Sequence, residues 1–282
     1  MAGLDAFGHA TGFYALVEAF GSDARMGRLL LAITHRIYGP PDRDAWYALW
    51  SAGHFDAAPL DAYFDNWRER FDLFHPERPF YQAADSRVNP KSLTALVHDA
   101  ASGNNATLFD HHTDAEGLTL TPAQASRYLI VAHAFGLAGL SGLPQKFTDG
   151  PCARGMILLI QGKTLFETLL LNLMRYTEDE PLPRTGEDRP AWEMADPFQD
   201  NRTTPRGYLD YLTWQNRRIL LFPEETSEGT IVRRMTLAPG LRLADGITDP
   251  LKPYRRDEKR GLLPLRFSEH RALWRDSATL FN

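Results

Sequence analysis

Cysteine is nearly absent from this 282-residue sequence, which contains only Cys152. A single thiol excludes a disulfide framework, and such low cysteine usage is typical of proteins in a reducing cytoplasm. No apolar run approaches the roughly 18–20 residues that a membrane-spanning helix requires. The N-terminal residues MAGLDAFGHATG contain no basic segment followed by an apolar one, so we expect no secretory signal. Together these absences predict a cytoplasmic protein with no membrane partner.

Recognisable metal-binding motifs are also missing. His111 and His112 lie beside Asp110 and Asp114, but no HExxH, CxxC or repeated aspartate spacing accompanies them. Side chains of adjacent residues in an extended chain point in opposite directions, so the two histidines do not easily reach one ion. We therefore predict no metal site and assign these residues to polar contacts in a loop.

The motifs of nucleotide binding and nucleophilic catalysis are incomplete. Gly162-Lys163-Thr164 has the ending of a phosphate-binding P-loop, but the position where that motif requires its first glycine is Ile157. Cys152 has no recognisable base beside it, and Ser141 lies in Gly-Leu-Ser-Gly rather than in G-x-S-x-G. We predict that the protein is not an enzyme and uses no cofactor.

Hydrophobic residues make up 43% of the chain, enough to bury a sizeable core. In several stretches apolar residues recur at three- and four-residue spacing, the helical period. Thr121-Pro122-Ala123-Gln124 has the pattern of a helix start, a capping residue followed by proline. The predicted helices cover about residues 11–38, 42–55, 59–71, 91–99, 121–135, 164–176 and 267–282.

Strands are predicted in two places. MILLIQG, residues 156–162, is a short apolar run, and TIVRRMTLAPGLRL, residues 230–243, suggests a strand pair turning at Ala238-Pro239-Gly240. Residues 208–222 favour a helix, a strand, or one followed by the other. The predicted fold class is α+β, a helix-rich globular domain with small β-sheet elements and long functional loops. The domain spans residues 1–282, with a possible subdivision near residues 177–206, where proline and charged residues are dense.

Positive charge is concentrated in the C-terminal third of the chain. The net charge is −5, yet residues 202–275 hold 15 Lys and Arg against 9 Asp and Glu, a local balance of +6. Such asymmetry is expected where one face of a protein meets phosphates. A solvated surface of mixed charge also explains it, so charge alone leaves both interpretations open.

The first segment suited to nucleic acid is rich in glycine, with Gln145 and Lys146 inside residues 136–151. Gly139 and Gly142 can bring bare backbone close to base edges in a narrow minor groove. Such a reader would be permissive, because that groove distinguishes base pairs poorly. An ordinary surface loop is the alternative.

The second such segment, residues 249–260, is basic. Its cationic side chains can neutralise phosphates, and an exposed charged turn is the alternative. Five of them fall within nine positions: Lys252, Arg255, Arg256, Lys259 and Arg260.

The third segment combines stacking and polar groups. Asn105, Phe109, His111 and His112 offer the aromatic surface and hydrogen bonds with which proteins hold single-stranded RNA. The alternative is that Phe109 fills the core beneath a loop.

The order of several sequence blocks resembles that of one known family, the large subunit of the type I-E CRISPR Cascade complex, or CasA family. The blocks span about residues 25–277 and are RLLLAITHRIYG, RFDLFHPERPFYQ, TLFDHH, LTPAQASRYLIVAHAFGLAGLSG, QGKTLFETLLLNLM, LTWQNRRI, DPLKPY and HRALWRD.

This resemblance implies a non-catalytic subunit that sits where Cascade holds the 5′ handle of the CRISPR RNA. There it would recognise the protospacer-adjacent motif in target double-stranded DNA, largely from the minor groove, help to start strand separation and recruit the helicase-nuclease. Its partners would be the other Cascade subunits, the CRISPR RNA, the target DNA and that helicase-nuclease. Base pairing to the guide then supplies most of the specificity.

The resemblance also assigns the three segments. Asn105 and Phe109 to His112 match the loop that docks near the RNA handle, and Gly139 to Gly150 match the glycine loop near the motif. Residues 252–260 lie where the family's lysine finger is expected, with Lys252, Lys259 and a neighbouring arginine as candidates.

Two departures from the family are visible. Nothing in Met1 to Ser22 matches the usual Pro-Trp-Ile-Pro-like strand, and family members continue beyond the block around Trp274 into a wedge and a C-terminal helical bundle. We expect this chain, which stops at Asn282, to lack both, as a natural short form, a split gene product or a truncated version. A docking subunit that does not read DNA and an uncharacterised enzyme are the alternative functions.

Overall fold

The computed structural model describes residues 24–97, 118–174, 182 and 186–266. The predicted RNA-handle residues Asn105, Phe109, His111 and His112 lie outside these ranges. The same holds for the predicted helix 267–282 and for residues 11–23 of the first predicted helix.

The described residues contain six α-helices and several short 3₁₀ helices. The α-helices are α1 (Ala24–Tyr38), α2 (Arg43–Ala52), α3 (Ala57–Asn66), α4 (Pro122–Phe135), α5 (Leu165–Asn172) and α6 (Tyr208–Leu212). The 3₁₀ helices are Arg68–Phe71, Leu93–Leu96, Pro151–Ala153, Ala191–Glu193 and Gln199–Asn201.

Two small antiparallel sheets accompany these helices. The first contains β1 (Lys91–Ser92), β2 (Arg217–Thr226) and β3 (Gly229–Pro239), in the order β1-β3-β2. The second is the hairpin of β4 (Tyr254–Asp257) and β5 (Gly261–Pro264). The α+β prediction is therefore confirmed.

Side-chain caps define the starts of four described helices, α2, α3, α4 and α5. Thr121 Oγ1 accepts from the backbone N–H of Gln124 at 3.3 Å, and Gln124 Oε1 accepts from that of Thr121 at 2.9 Å, a reciprocal capping box before Pro122. Asp42 Oδ1 caps α2 by accepting from the Ala45 N–H at 2.8 Å. The helix start predicted at Thr121 is thus confirmed.

Helix α1 lies at the centre of the core. Leu29, Leu30, Leu31 and Ile33 are all buried, and the helix packs against α3, α4, α5 and α6. Because its consecutive residues are buried, α1 has no broad polar face of the kind seen on surface helices. Complete burial of each such side chain contributes about 1.5–3 kcal/mol. Helix α1 therefore positions the helices packed around it, including α4, which leads into the glycine-rich segment.

Residues 156–162 do not form the predicted strand. The Met156 N–H donates to Leu265 O at 2.7 Å, whereas the Leu158 N–H donates to Leu251 O at 2.8 Å. The Ile160 N–H turns instead to the side-chain oxygen of Asn172, at 3.0 Å. The segment is extended, but its partners belong to separate parts of the chain, so no ladder forms.

The turn predicted at Ala238-Pro239-Gly240 is also wrong. Strand β3 continues to Pro239, which pairs with Arg217. Strands β2 and β3 are thus paired along their whole length, and Pro239 lies at the end of the ladder. The hairpin turns instead between Thr226 and Gly229, where Gly229 has a φ of 117° that only glycine adopts readily. Proline is tolerated at the end of β3 because its missing N–H removes at most one terminal hydrogen bond of the ladder.

Two shorter predictions are refined. The helix predicted over residues 91–99 is the two-residue strand β1 followed by the 3₁₀ helix Leu93–Leu96. Residues 208–222 are a helix followed by a strand, α6 and then β2, which was one of the alternatives.

Candidate nucleic-acid interface

The glycine-rich segment forms a loop, residues 136–150, between α4 and the 3₁₀ helix Pro151–Ala153. Its stem closes through the Gly150 N–H, which donates to Gly136 O at 2.6 Å, and through two backbone hydrogen bonds between Gly139 and Phe147, at 3.3 and 3.0 Å. The tip projects into solvent, and Leu140 is 84% exposed there. We call residues 136–150 the glycine loop.

The four glycines of this loop divide into two kinds. A Cβ at Gly150 would lie 2.5 Å from Ala134 O, and one at Gly136 would lie 2.7 Å from Arg217 Nη2, so packing requires glycine at both stem positions. Gly139 and Gly142 are exposed, and a Cβ at either would meet nothing within 4 Å. Gly142 has a φ of 77°, which favours glycine, but internal packing explains neither tip glycine.

Arg217, the first residue of β2, fixes the stem of the glycine loop. Its Nη2 donates to Leu137 O at 2.7 Å and its Nη1 to Thr148 O at 2.8 Å, so one guanidinium joins the two sides of the loop. Its Cζ lies 4.7 Å from the centre of the Phe147 ring, a cation–π contact. Burial lowers the pKa of Arg217 to about 10, which leaves it cationic at neutral pH.

Gln145 ties the tip of the loop to the first sheet. Its Nε2 donates to Gly240 O, just beyond β3, at 3.0 Å. Gln145 and the neighbouring Lys146 are both exposed. The loop therefore presents a bare backbone, an amide and one cation beside each other on the surface.

Lys252 does not lie on the surface as the sequence suggested. Its Nζ donates to Pro151 O and, at 3.2 Å, to Arg154 O, and it lies 4.0 Å from Asp249 Oδ2. The side chain is only 4% exposed, and burial lowers its pKa. Because the ammonium is occupied by protein oxygens, we remove Lys252 from the expected DNA contacts.

The other four cations of the basic segment are exposed on the β4–β5 hairpin, which we call the basic hairpin. Asp257 shapes its turn, because its Oδ1 accepts from the Lys259 N–H at 3.0 Å and from the Arg260 N–H at 2.9 Å. These two bonds lower the pKa of the Asp257 carboxyl. The exposed cations are Arg255, Arg256, Lys259 and Arg260.

The glycine loop and the basic hairpin start from the same short base, residues 151–156. Lys252, ahead of β4, binds carbonyls in this base, and Met156 pairs with Leu265 just after β5. A Cβ at Gly155 would lie 2.7 Å from the Pro264 side chain, so the hairpin packs tightly here. The two segments predicted to meet DNA therefore adjoin at their bases.

A buried ion pair fixes the turn ahead of the basic hairpin. Arg28 Nη1 of α1 donates to Asp249 Oδ2 at 3.2 Å, and its Nη2 donates to Tyr211 O at 2.7 Å. The Tyr211 hydroxyl also donates to Asp249 Oδ2, at 2.7 Å. The turn that leads into the basic hairpin is therefore fixed to the centre of the molecule.

A family model for CRISPR-associated protein Cse1 matches residues 23–282. The chain belongs to the Cse1 family. A CasA/Cse1 protein of Thermus thermophilus is 38% identical over 270 residues, which make up 92% of this chain and 51% of that protein. The chain thus spans about half the length of this relative.

Solved structures of Cse1 proteins have the same fold. Thermus thermophilus CasA (Cse1) is 34% identical with a TM-score of 0.72, covering 92% of this chain and 52% of its own. Cse1 of Acidimicrobium ferrooxidans is 31% identical with a TM-score of 0.73, covering 90% and 51%. A chain of a CRISPR RNA-guided surveillance complex is 26% identical with a TM-score of 0.75, covering 92% and 56%. The family resemblance is confirmed.

Sequence reasoning missed two residues that position the surface of this Cse1-family chain. Arg217 and Arg28 are arginines at the start of the apolar stretches RRILLF and RLLLAI, and both are buried. A charge directly beside an apolar run is the available signal, because such a charge must find a partner if it is buried with the run. The sequence does not reveal that the partners are loop carbonyls and a distant aspartate.

Within the described ranges, no group of three His, Cys, Asp or Glu residues could hold a metal ion. Cys152 is buried, and burial raises the pKa of its thiol, which disfavours the reactive thiolate. The histidine pair at 111 and 112 lies outside those ranges. No helix among the described residues is long and apolar enough to cross a membrane.

Proposed function

We propose that this Cse1-family chain is a non-catalytic subunit of a type I-E Cascade surveillance complex and binds target duplex DNA beside the protospacer-adjacent motif. The observation that carries the proposal is the glycine loop. Its tip exposes backbone at Gly139 and Gly142, its stem is fixed by Arg217, and its base adjoins the basic hairpin.

These features suit the two kinds of contact that DNA offers. Backbone at the loop tip can approach base edges in the minor groove, with Gln145 as a hydrogen-bonding side chain. The exposed cations of the basic hairpin and Lys146 can neutralise backbone phosphates, which give affinity and position but no sequence information. The subunit would therefore read a short motif and leave the rest of the target to the guide RNA.

Two further roles rest on the family resemblance. We propose that Asn105, Phe109, His111 and His112 contact the 5′ handle of the CRISPR RNA, although these residues lie outside the described ranges. We also propose that the assembled complex recruits the helicase-nuclease in part through this subunit. A similar solved chain belongs to a CRISPR RNA-guided surveillance complex, which supports membership of such an assembly.

The proposal is tested by Gly142→Asp in the assembled complex, because the change adds bulk and negative charge where backbone would approach DNA. Gly53→Asp is the matched control. Gly53 follows α2, has a φ of 71° against 77° for Gly142, and also has open space around its Cβ position. Both variants impose similar backbone strain, so only a DNA contact distinguishes them.

We expect Gly142→Asp to weaken binding of motif-bearing duplex in a band-shift assay while co-purification with the other subunits and RNA is unchanged. Gly53→Asp should alter neither. If both variants bind the duplex as tightly as the wild type, the glycine loop does not read DNA. The subunit is then a docking component of the assembly.

A further inference from the structure

A cleft of about 540 Å³ opens beside the tip of the glycine loop. One wall is the turn that carries Arg87, and another is the chain beyond β3, which carries Arg242. Arg218 of β2 and Gln145 of the glycine loop also line the cleft with polar side chains. None of the three arginines belongs to the three segments predicted to contact nucleic acid.

The cleft has a positive net charge. Arg87 is neutralised by Asp85, which it binds through Nε at 2.9 Å and through Nη2 at 2.6 Å. Arg87 holds the pKa of Asp85 near 2, so this pair persists at neutral pH. Arg218 and Arg242 add two further positive charges. Neither forms an ion pair with the described residues, although the Arg218 charge also helps to lower the pKa of the Asp85 carboxyl. An anion in the cleft would meet these two charges first.

The Arg218 guanidinium packs on an aromatic ring. Its Cζ lies 4.0 Å from the centre of the Phe198 ring, so the ring supports the guanidinium. A supported guanidinium presents its N–H groups in a fixed fork, which matches two oxygens of a phosphate. Arg242 is exposed and lines the same cleft, and its side chain has no hydrogen bond among the described residues that an anion would have to displace.

The cleft is joined to the glycine loop by the hydrogen bond from Gln145 Nε2 to Gly240 O. The sugar-phosphate strands flank the minor groove, which is only about 6 Å wide. A duplex that turned this groove towards Gly142 would therefore carry a phosphate past the neighbouring cleft.

We infer that this cleft binds a backbone phosphate of the duplex whose minor groove faces the glycine loop. The inference rests on the proposed function. Arg218 and Arg242 contact the phosphate directly, and Arg87 and Gln145 shape the cleft around it. Because a phosphate carries no sequence information, the contact increases affinity equally for every duplex and leaves motif preference unchanged.

The test uses the assembled complex with Arg218→Gln and Arg242→Gln combined, and the dependence of duplex affinity on salt is measured with and without the motif. Each lost phosphate contact makes the plot of log affinity against log salt shallower by about 0.9. Because the two arginines share one phosphate, the loss of affinity between roughly 50 and 200 mM salt should be about three- to fourfold smaller in the double variant. The ratio of affinities with and without the motif should stay constant.

Arg68→Gln and Arg78→Gln combined are the control for net charge, because they remove the same two positive charges from exposed arginines that do not line the cleft. Arg218→Lys and Arg242→Lys combined should restore most of the salt dependence, and melting temperatures verify that the variants are folded. An unchanged salt slope in the double glutamine variant, with Gly142→Asp still defective, refutes the cleft alone. If the Gly142→Asp variant binds the duplex as tightly as the wild type does, the proposed function is refuted instead. A double variant that loses CRISPR RNA while keeping its duplex affinity overturns the assignment to DNA.

Discussion

The guanidinium carbon of Arg217 lies 4.7 Å from the centre of the Phe147 ring, at the point where the stem of the glycine loop meets the first sheet. The same side chain donates to carbonyls on both sides of that stem. Arg217 therefore joins both sides of the stem to the first sheet, in addition to the backbone hydrogen bonds that close the stem itself.

Replacing Arg217 by Met should loosen the glycine loop without unfolding the protein. Hydrogen bonds to charged groups contribute about 1.5–3 kcal/mol, so losing those at Leu137 and Thr148 favours local opening. We expect amide hydrogen exchange at Gly139 and Phe147 to accelerate at least about tenfold, since 1.4 kcal/mol is a factor of ten. Arg217→Lys should give an intermediate rate, because one ammonium does not span both carbonyls. If the exchange rates in the Met variant equal those of the wild type, the backbone hydrogen bonds of the stem are sufficient without Arg217.

Asp249→Ala should destabilise the whole chain. The change leaves Arg28 buried without its partner carboxylate and removes the acceptor of the Tyr211 hydroxyl. Breaking a buried ion pair in this way costs about 3–5 kcal/mol, measurable by urea unfolding. Asp245→Ala is the control, because Asp245 pairs with Arg154 at 3.4 Å while its side chain is 87% exposed. Such surface pairs contribute less than about 1 kcal/mol, so equal losses for the two variants would contradict the role given to Arg28.

Stability should fall in acid partly through His133, whose pKa burial lowers to about 3. An unfolded histidine has a pKa of about 6.5, so between these values the unfolded chain binds a proton that the folded chain does not. The stabilisation is therefore complete above pH 6.5 or so and is lost as the pH falls, by up to about 1.4 kcal/mol per unit.

His133→Gln should flatten this dependence, because glutamine can still donate to Tyr81 O as the histidine Nε2 does at 3.0 Å. His54→Gln, at an exposed histidine, should leave the profile unchanged. Urea unfolding across that pH range measures both. A wild-type profile retained by His133→Gln would exclude His133 as a contributor.

Neutralising the basic hairpin should weaken duplex binding in a salt-dependent way. The changes are Arg255→Gln, Arg256→Gln, Lys259→Gln and Arg260→Gln together. Each side chain that contacts a phosphate accounts for about 0.9 of the salt slope, so the slope should become shallower by up to four times that amount.

Lys252→Gln should behave differently, because the Lys252 ammonium is bound to protein carbonyls. We expect a lower melting temperature and an unchanged salt slope. If Lys252→Gln instead made the salt dependence of duplex affinity shallower and left the melting temperature unchanged, Lys252 would be a DNA contact after all.

Local patterns predicted those parts of the fold that are encoded locally. The helix start at Thr121 needs only the cap and the proline that follow one another in the sequence. The apolar pattern of residues 156–162 predicts a strand wrongly, because the hydrogen-bond partners Leu265 and Leu251 come from a distant segment. Pro239 is a strong turn residue and predicts the hairpin turn wrongly, because Gly229 supplies the backbone angle that the turn requires.

The candidate site was predictable as a set of segments but not as a set of contacts. Gly139 and Gly142 are exposed, as a groove-facing loop requires, and nothing in their sequence distinguishes them from Gly136 and Gly150 in the stem. Lys252 looked like the exposed cations near it, and only the carbonyls around Cys152 explain its burial. Such assignments depend on which distant residues meet, and periodicity carries no information about that.

The short base at residues 151–156 has a consequence for recognition. Since the loop and the hairpin both adjoin one short base held by hydrogen bonds, the distance between the two DNA contacts is set when the chain folds and not when DNA binds. A duplex that meets both would lose its own rotational freedom but would not have to order two independent arms. An insertion in the tip of the glycine loop or of the basic hairpin would then alter only the DNA contacts of that tip. A change in the base would displace both sets of DNA contacts together.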